Sequence, residues 1–223
     1  MSIFKQLIAI GLAFMAVTGC GAASGPTVPP TPTLDPSAPI LPTRTPPPNR
    51  PALTFTPPPP TVTIAPTSEA ARTYFTAGVR AYSQKDYTTA ILNFTQALQL
   101  DRSNALIYWN RAQAYLAQDD LDGAIGDYTK VIELDPNNIA AWVSRGEARA
   151  GQKEFALALT DLNHAVSLSP NEPSVYVNRA RILQASDNIT DAVASFTQAL
   201  DIDPNYAPAY YYRALAYFEN RPA

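Results

Sequence analysis

From Tyr108 to Ile132 the apolar residues fall on two helical stripes. Tyr108, Ala112 and Tyr115 stand at i, i+4 and i+7, on one face of a first helix. Leu121, Ala124, Ile125, Tyr128, Val131 and Ile132 make a similar stripe on a second. Between the two, "QDDLDG" supplies turn and N-cap residues, and Pro136 stops the second helix because proline cannot donate the next backbone bond. The pattern then recurs. Ala90, Ala124, Ala158 and Ala192 are each 34 residues apart. At the same period the first helix carries an aromatic residue (Tyr74, Tyr108, Trp142, Tyr176, Tyr210), followed four later by a small one (Gly78, Ala112, Gly146, Ala180, Ala214). The second helix carries a large apolar residue at Phe94, Tyr128, Leu162 and Phe196, then a branched or small one at Ala97, Val131, Ala165 and Ala199. Small slots let two helix backbones approach closely. Each helix pair leaves one face uncovered, so it must stack on a neighbour, and the pattern predicts an all-α solenoid with a concave inner surface.

These slots resemble the tetratricopeptide repeat, a helix–turn–helix unit of 34 residues. The resemblance covers repeats at about 71–104, 105–138, 139–172 and 173–206, plus a final first helix at 206–219. It implies a right-handed superhelix whose groove is lined by set positions of the first helices. Carried over, these are Phe75, Val79 and Tyr82; Leu106, Trp109, Gln113 and Leu116; Val143 and Glu147; Val177 and Arg181; Tyr211 and Leu215. Trp109, a large rigid aromatic near the middle, is the expected anchor for a partner, unless it and Phe75 pack between repeats. Where the family has leucine, this chain has Ala77 and then Arg111, Arg145, Arg179 and Arg213. Acidic ligands would suit such a row. The reading preferred here is structural, with Asp127 and Asp161 on second helices as ion-pair partners. Some relatives clamp a C-terminal carboxylate with Lys and Asn, and the matching positions here are Phe75, Val79, Asn110, Ala140 and Ser144. Only Asn110 fits, which argues against that clamp.

The start of the chain has a different pattern. "MSIFKQLIAIGLAFMAVTGC" carries Lys5 and then an apolar run from Leu7 to Val17. As a helix that run rises only ~16 Å, too short for a hydrocarbon core of ~30 Å but suited to a signal peptide. "VTGC" resembles the bacterial lipobox, which implies cleavage after residue 19 and lipidation of Cys20, the only cysteine. Sixteen of the 22 prolines lie between Pro26 and Pro66. That Pro/Thr-rich stretch holds neither helical nor strand period and predicts a disordered, extended linker. The domain reading is a signal peptide at 1–19, the lipidated cysteine and linker at 20–67, and the repeat domain at 68–223.

Composition removes several function classes. A net charge of −3 without a basic patch argues against nucleic acid. One histidine and one cysteine preclude a Cys/His metal cluster, and no nucleophile–base pair is visible, so no cofactor, metal or enzymatic activity is expected. His164 reads as a helix-surface or groove-edge residue, and "DDLDG" as an acidic turn rather than a calcium loop. The expected function is a membrane-anchored scaffold that binds protein or peptide in the bacterial cell envelope, outside the cytoplasm. The alternative is an accessory peptide- or glycan-binding lipoprotein. The final helix keeps Tyr210, Ala214 and Tyr217 in slots that face a second helix elsewhere, which predicts self-association or a partner at that end.

Overall fold

The computed structural model describes residues 68–219. The signal-peptide, lipobox and linker expectations, Cys20 included, lie outside the described residues. Those residues form nine helices and no strand. In chain order they are α1 (Glu69–Ser83), α2 (Tyr87–Leu100), α3 (Ala105–Ala117), α4 (Leu121–Leu134), α5 (Ile139–Gly151), α6 (Phe155–Leu168), α7 (Pro173–Ala185), α8 (Ile189–Ile202) and α9 (Ala207–Glu219). Odd-numbered helices are the first of each pair, even-numbered ones the second.

Local chemistry sets the starts. Ser68, Asp86, Asn104, Asp120, Asn138 and Asn188 each accept a backbone N–H of the first turn through their side chains. α7 starts instead on Pro173, whose fixed φ suits the first helical position. The stops are also periodic. α1, α3, α5 and α7 each run into a residue with left-handed φ, between 61° and 66°, at Lys85, Asp119, Lys153 and Asp187. The next residue's N–H then bonds back to the helix, as from Asp86 to Ala81 at 2.9 Å and from Asp120 to Tyr115 at 2.9 Å. The loops after the second helices are closed by aromatic side chains. Trp142 donates from Nε1 to the Pro136 carbonyl (2.8 Å), Tyr176 from its hydroxyl to that of Pro170 (2.9 Å), and Tyr210 to that of Pro204 (3.1 Å).

Packing follows the small and large slots. Phe94, Tyr128, Leu162 and Phe196 are wholly buried, each in the repeat where Gly78, Ala112, Gly146 or Ala180 supplies the small residue. Consecutive helices pack along the chain, building the expected all-α solenoid. First helices also touch across repeats, α1 with α3, α5 with α7 and α7 with α9, and no comparably extensive contact joins second helices. The first helices therefore form the inner row.

One of these close approaches gives a test. A methyl at Gly78 would stand 2.6 Å from Cε1 of Phe94, a rigid ring with no exposed surface to move into. Gly78→Ala is expected to cost about 1–3 kcal/mol by overpacking, despite the better helix propensity of alanine. A thermal melt should show a fall of several degrees. An unchanged or higher melting temperature would mean that α1 and α2 separate freely.

Candidate functional site

The inner row presents its side chains in three grades of exposure. Val79 and Tyr211 are exposed, and Phe75, Tyr82, Leu106, Gln113, Leu116, Glu147, Arg181 and Leu215 are half-buried. Together these residues give an apolar surface with a polar centre. Trp109, Val143 and Val177 depart from expectation. All three are buried, and Trp109 retains only 5% of its surface. Its ring meets Tyr128 edge-on at 5.3 Å, in a cluster that Ala140, Ala141 and Trp142 of α5 help to enclose. These three residues therefore support the groove from beneath instead of lining it. The physical reason is that their slot faces the next repeat, and the approaching first helix covers it. Tyr211 occupies the same slot on α9, where no described helix follows, and stays open.

One slot of the row reads Val79, Gln113, Glu147, Arg181, Leu215. Gln113 Nε2 donates to the Tyr128 hydroxyl at 2.7 Å, and the same hydroxyl is bonded to Ser144. Burial pushes the Tyr128 phenol far above its usual range, so it stays protonated. Glu147 Oε1 lies 3.5 Å from Nη1 of Arg181, whose guanidinium stands over the Tyr212 ring at 5.4 Å. Tyr212 in turn stacks on Phe196 (6.3 Å, 11°) and meets Tyr211 edge-on at 5.1 Å. The Glu147 side chain is closely surrounded by protein yet keeps 35% of its surface. Desolvation raises its pKa, and the attraction of Arg181 only partly offsets this. The sequence did not single out Tyr212 or the Tyr128 hydroxyl. The one signal was that Tyr212 breaks a slot otherwise held by Asn110, Ser144 and Asn178.

The direction of that shift has a consequence for stability. A carboxyl whose folded pKa lies above its unfolded value stabilises the fold when protonated. That contribution is fully present below the ordinary value of 4.5 and is lost as pH rises through the folded pKa. Glu147→Gln should therefore melt at or slightly above wild type at pH 7, by no more than about 2 °C given solvent access. The gap should close as pH falls towards 4.5. Melting curves across that range check it, and a variant clearly less stable at pH 7 would show that the ion pair with Arg181 outweighs burial.

The arginines in the family's leucine slot are held by the protein itself, as the structural reading expected. Arg111 grips Asp127 through Nε and Nη2 (2.8 and 2.7 Å), and Arg145 grips Asp161 in the same way (3.0 and 2.8 Å). From the same guanidinium, Nη1 reaches back to the preceding second helix, to Thr95 at 3.0 Å from Arg111 and to Thr129 at 3.1 Å from Arg145. Each arginine thus ties three helices. Each also lies over the aromatic residue three positions earlier, with Arg145 closest, 4.8 Å from the Trp142 ring. The third clamp differs. Arg179 meets Ser195 (3.0 Å) and Gln198 (2.6 Å). With no aspartate opposite it, burial lowers the Arg179 pKa; at Arg111 the same desolvation is outweighed by the bonds and charge of Asp127. Arg213 donates to Thr197 at 3.2 Å.

Among the described residues no group of three or more His, Cys, Asp or Glu is placed to hold a metal ion. His164 packs on Trp142 with ring centroids 4.1 Å apart, and Asp120 of the acidic turn caps α4.

Comparison with known proteins finds the same repeat. A profile described as "TPR repeat" matches residues 78–119 and 180–220, and one described as "Tetratricopeptide repeat" matches 105–138. Among solved structures, the crystal structure of MamA protein is 21% identical, covering 67% of this chain and 82% of that one, with a TM-score of 0.60. MamA from Desulfovibrio magneticus RS-1 is 17% identical over 68% and 86% of the two chains, with a TM-score of 0.61. YrrB, described as a TPR protein with an unusual peptide-binding site, is 20% identical over 66% and 76%, with a TM-score of 0.59. At these identities the likeness is one of fold. No match emerges among curated proteins.

Proposed function

We propose that this chain, which carries tetratricopeptide repeats, is a membrane-anchored scaffold that recruits or organises other proteins in the bacterial cell envelope. The repeat fold implies protein or peptide binding. The observation that carries the reading to this chain is the inner row of first helices, with Tyr82, Leu106, Leu116 and Leu215 half-exposed beside a polar centre. A surface of that composition suits the core of an interface. Anchoring rests on Cys20 and the apolar run before it, and among the described residues no helix is long and apolar enough to cross a membrane.

Two measurements test the reading. Affinity capture from envelope extract with the full chain should retain a protein in fixed stoichiometry. Capture of a glycan alone would favour the carbohydrate-binding alternative instead. Mass spectrometry of the mature N-terminus should find acyl mass on Cys20, and Cys20→Ser should release the protein from the membrane fraction. An unacylated wild-type terminus would remove the anchor.

A second contact belongs to the end of the solenoid. Ala207, Ala214 and Tyr217 of α9 are exposed, as is Phe218 with 68% of its surface open. In the other first helices the residues in the Ala214 slot, Gly78, Ala112, Gly146 and Ala180, are all buried. The outer face of α1 at the opposite end is polar, with Arg72, Thr73, Thr76 and Arg80 exposed. A second copy would therefore meet this one through α9 against α9, an arrangement in which like face meets like. Light scattering should show mass rising with concentration, and Tyr217→Ser with Phe218→Ser should hold the chain monomeric. A wild-type chain that is monomeric throughout would exclude it.

A further inference from the structure

We propose that the groove selects a peptide segment bearing a lysine or arginine, which pairs with Glu147 and is bracketed by apolar side chains. The inference rests on the groove being the binding site and adds the chemistry of what it takes.

Glu147 sits on the middle first helix of the five, near the centre of the inner row. Protein closely surrounds its side chain, which nonetheless keeps about a third of its surface open. Its closest cation is Arg181 at 3.5 Å, beyond ordinary hydrogen-bond length, and the Arg181 side chain is only 10% exposed and lies over Tyr212. The other titratable groups near it are the hydroxyls of Tyr128 on α4 and Tyr212 on α9, both with pKa raised by burial and so neutral at physiological pH. The accessible charge at the centre is therefore negative. It lies in a concave, partly desolvated setting where a complementary charge is felt more strongly than on an open surface. An ammonium or guanidinium group from a ligand would add short charge-assisted bonds to the Glu147 carboxylate, beside its 3.5 Å pair with Arg181. An acidic ligand side chain would meet Glu147 first and be repelled.

The flanks set the rest of the motif. Leu116 on α3 lies one first helix away on one side, and Leu215 on α9 lies two away on the other. Neighbouring helix axes stand about 10 Å apart, and an extended chain advances about 3.3 Å per residue. An apolar side chain about three residues from the basic one, and another about six residues away on the other side, would reach those positions.

A phage-displayed library of random linear dodecapeptides, panned on the immobilised full chain and on Glu147→Gln, tests this. The wild-type pool should be enriched in one Lys or Arg between apolar positions, and the Glu147→Gln pool should lose that preference. In a selected peptide, replacing the basic residue by norleucine should weaken binding to wild type about tenfold and leave binding to the variant unchanged. Binding near the Glu147 pKa should also release protons, because the ligand's charge favours the ionised carboxyl. Calorimetry in two buffers of different ionisation enthalpy reads that release. A pool without basic preference, or one whose preference survives Glu147→Gln, overturns the inference and leaves the groove as a binding site. Failure of the wild-type chain to enrich any peptide removes the groove reading and this inference with it.

Discussion

Asp161→Ala should remove about 3–5 kcal/mol of folding stability. Asp161 is 1% exposed and accepts three charged hydrogen bonds, from Nε and Nη2 of Arg145 (3.0 and 2.8 Å) and from Nη1 of Arg149 (2.8 Å). Deleting the carboxylate leaves two cations in a poorly solvated site. Arg145 would keep its Thr129 bond and the Trp142 ring, which cannot neutralise it. The loss is a large share of the ~5–15 kcal/mol that holds a typical domain together. Urea titration should show a much lower midpoint. Because the clamp sits in the middle of a linear array, the transition should also broaden as the two flanking halves melt less cooperatively. Replacing both Arg145 and Asp161 by leucine should cost less than Asp161→Ala alone, since only Arg149, the more exposed of the two cations, then loses its partner. The fourth repeat already does without the aspartate: Ser195 and Gln198 hold Arg179 through neutral acceptors. If Asp161→Ala costs under ~1 kcal/mol, solvent must reach the arginines, and the clamp is not structural.

Trp109→Ala should lower stability by about 3–5 kcal/mol, as expected for truncating a buried aromatic to alanine. Weakened partner capture by a folded protein is not the expected outcome. The indole packs edge-on to Tyr128, and the cavity left behind would border a wholly buried ring. Any fall in partner binding would then follow unfolding. The contrast is Leu116→Ser, at a half-exposed groove position, where stability should change little and partner capture should fall. Thermal melts of both variants beside a capture assay separate the two roles. A Trp109→Ala protein that melts like wild type but captures nothing would return this residue to the groove surface.

Much of the architecture was legible in the chain. Helix starts and stops are local events, decided by a side chain and a backbone group within a few residues of each other, as at Asp86, Asn138 and Pro173. The clamps were legible for a related reason. Arg111 with Asp127, and Arg145 with Asp161, are each 16 residues apart within one helical hairpin, and the repeat period carries that geometry from one unit to the next. Pairing of large with small residues, Phe94 with Gly78 for instance, was legible because one helix pair contains both.

The candidate groove was only partly legible. Its slots came from the repeat, but whether a slot faces solvent depends on how closely two first helices from different repeats approach. Trp109, Val143 and Val177 are covered and Tyr211 is not, although all four share one register. The setting of Glu147 likewise depends on Arg181, Tyr128 and Tyr212, contributed by three other helices. The sequence by itself determined the helices, their period, the caps and the paired charges within each hairpin, because these are interactions over short chain distances. Only the tertiary structure decided which inner-row side chains remain open and which charge stands accessible at the centre, because both follow from the curvature of the stacked repeats, a sum of small rotations that no single repeat contains.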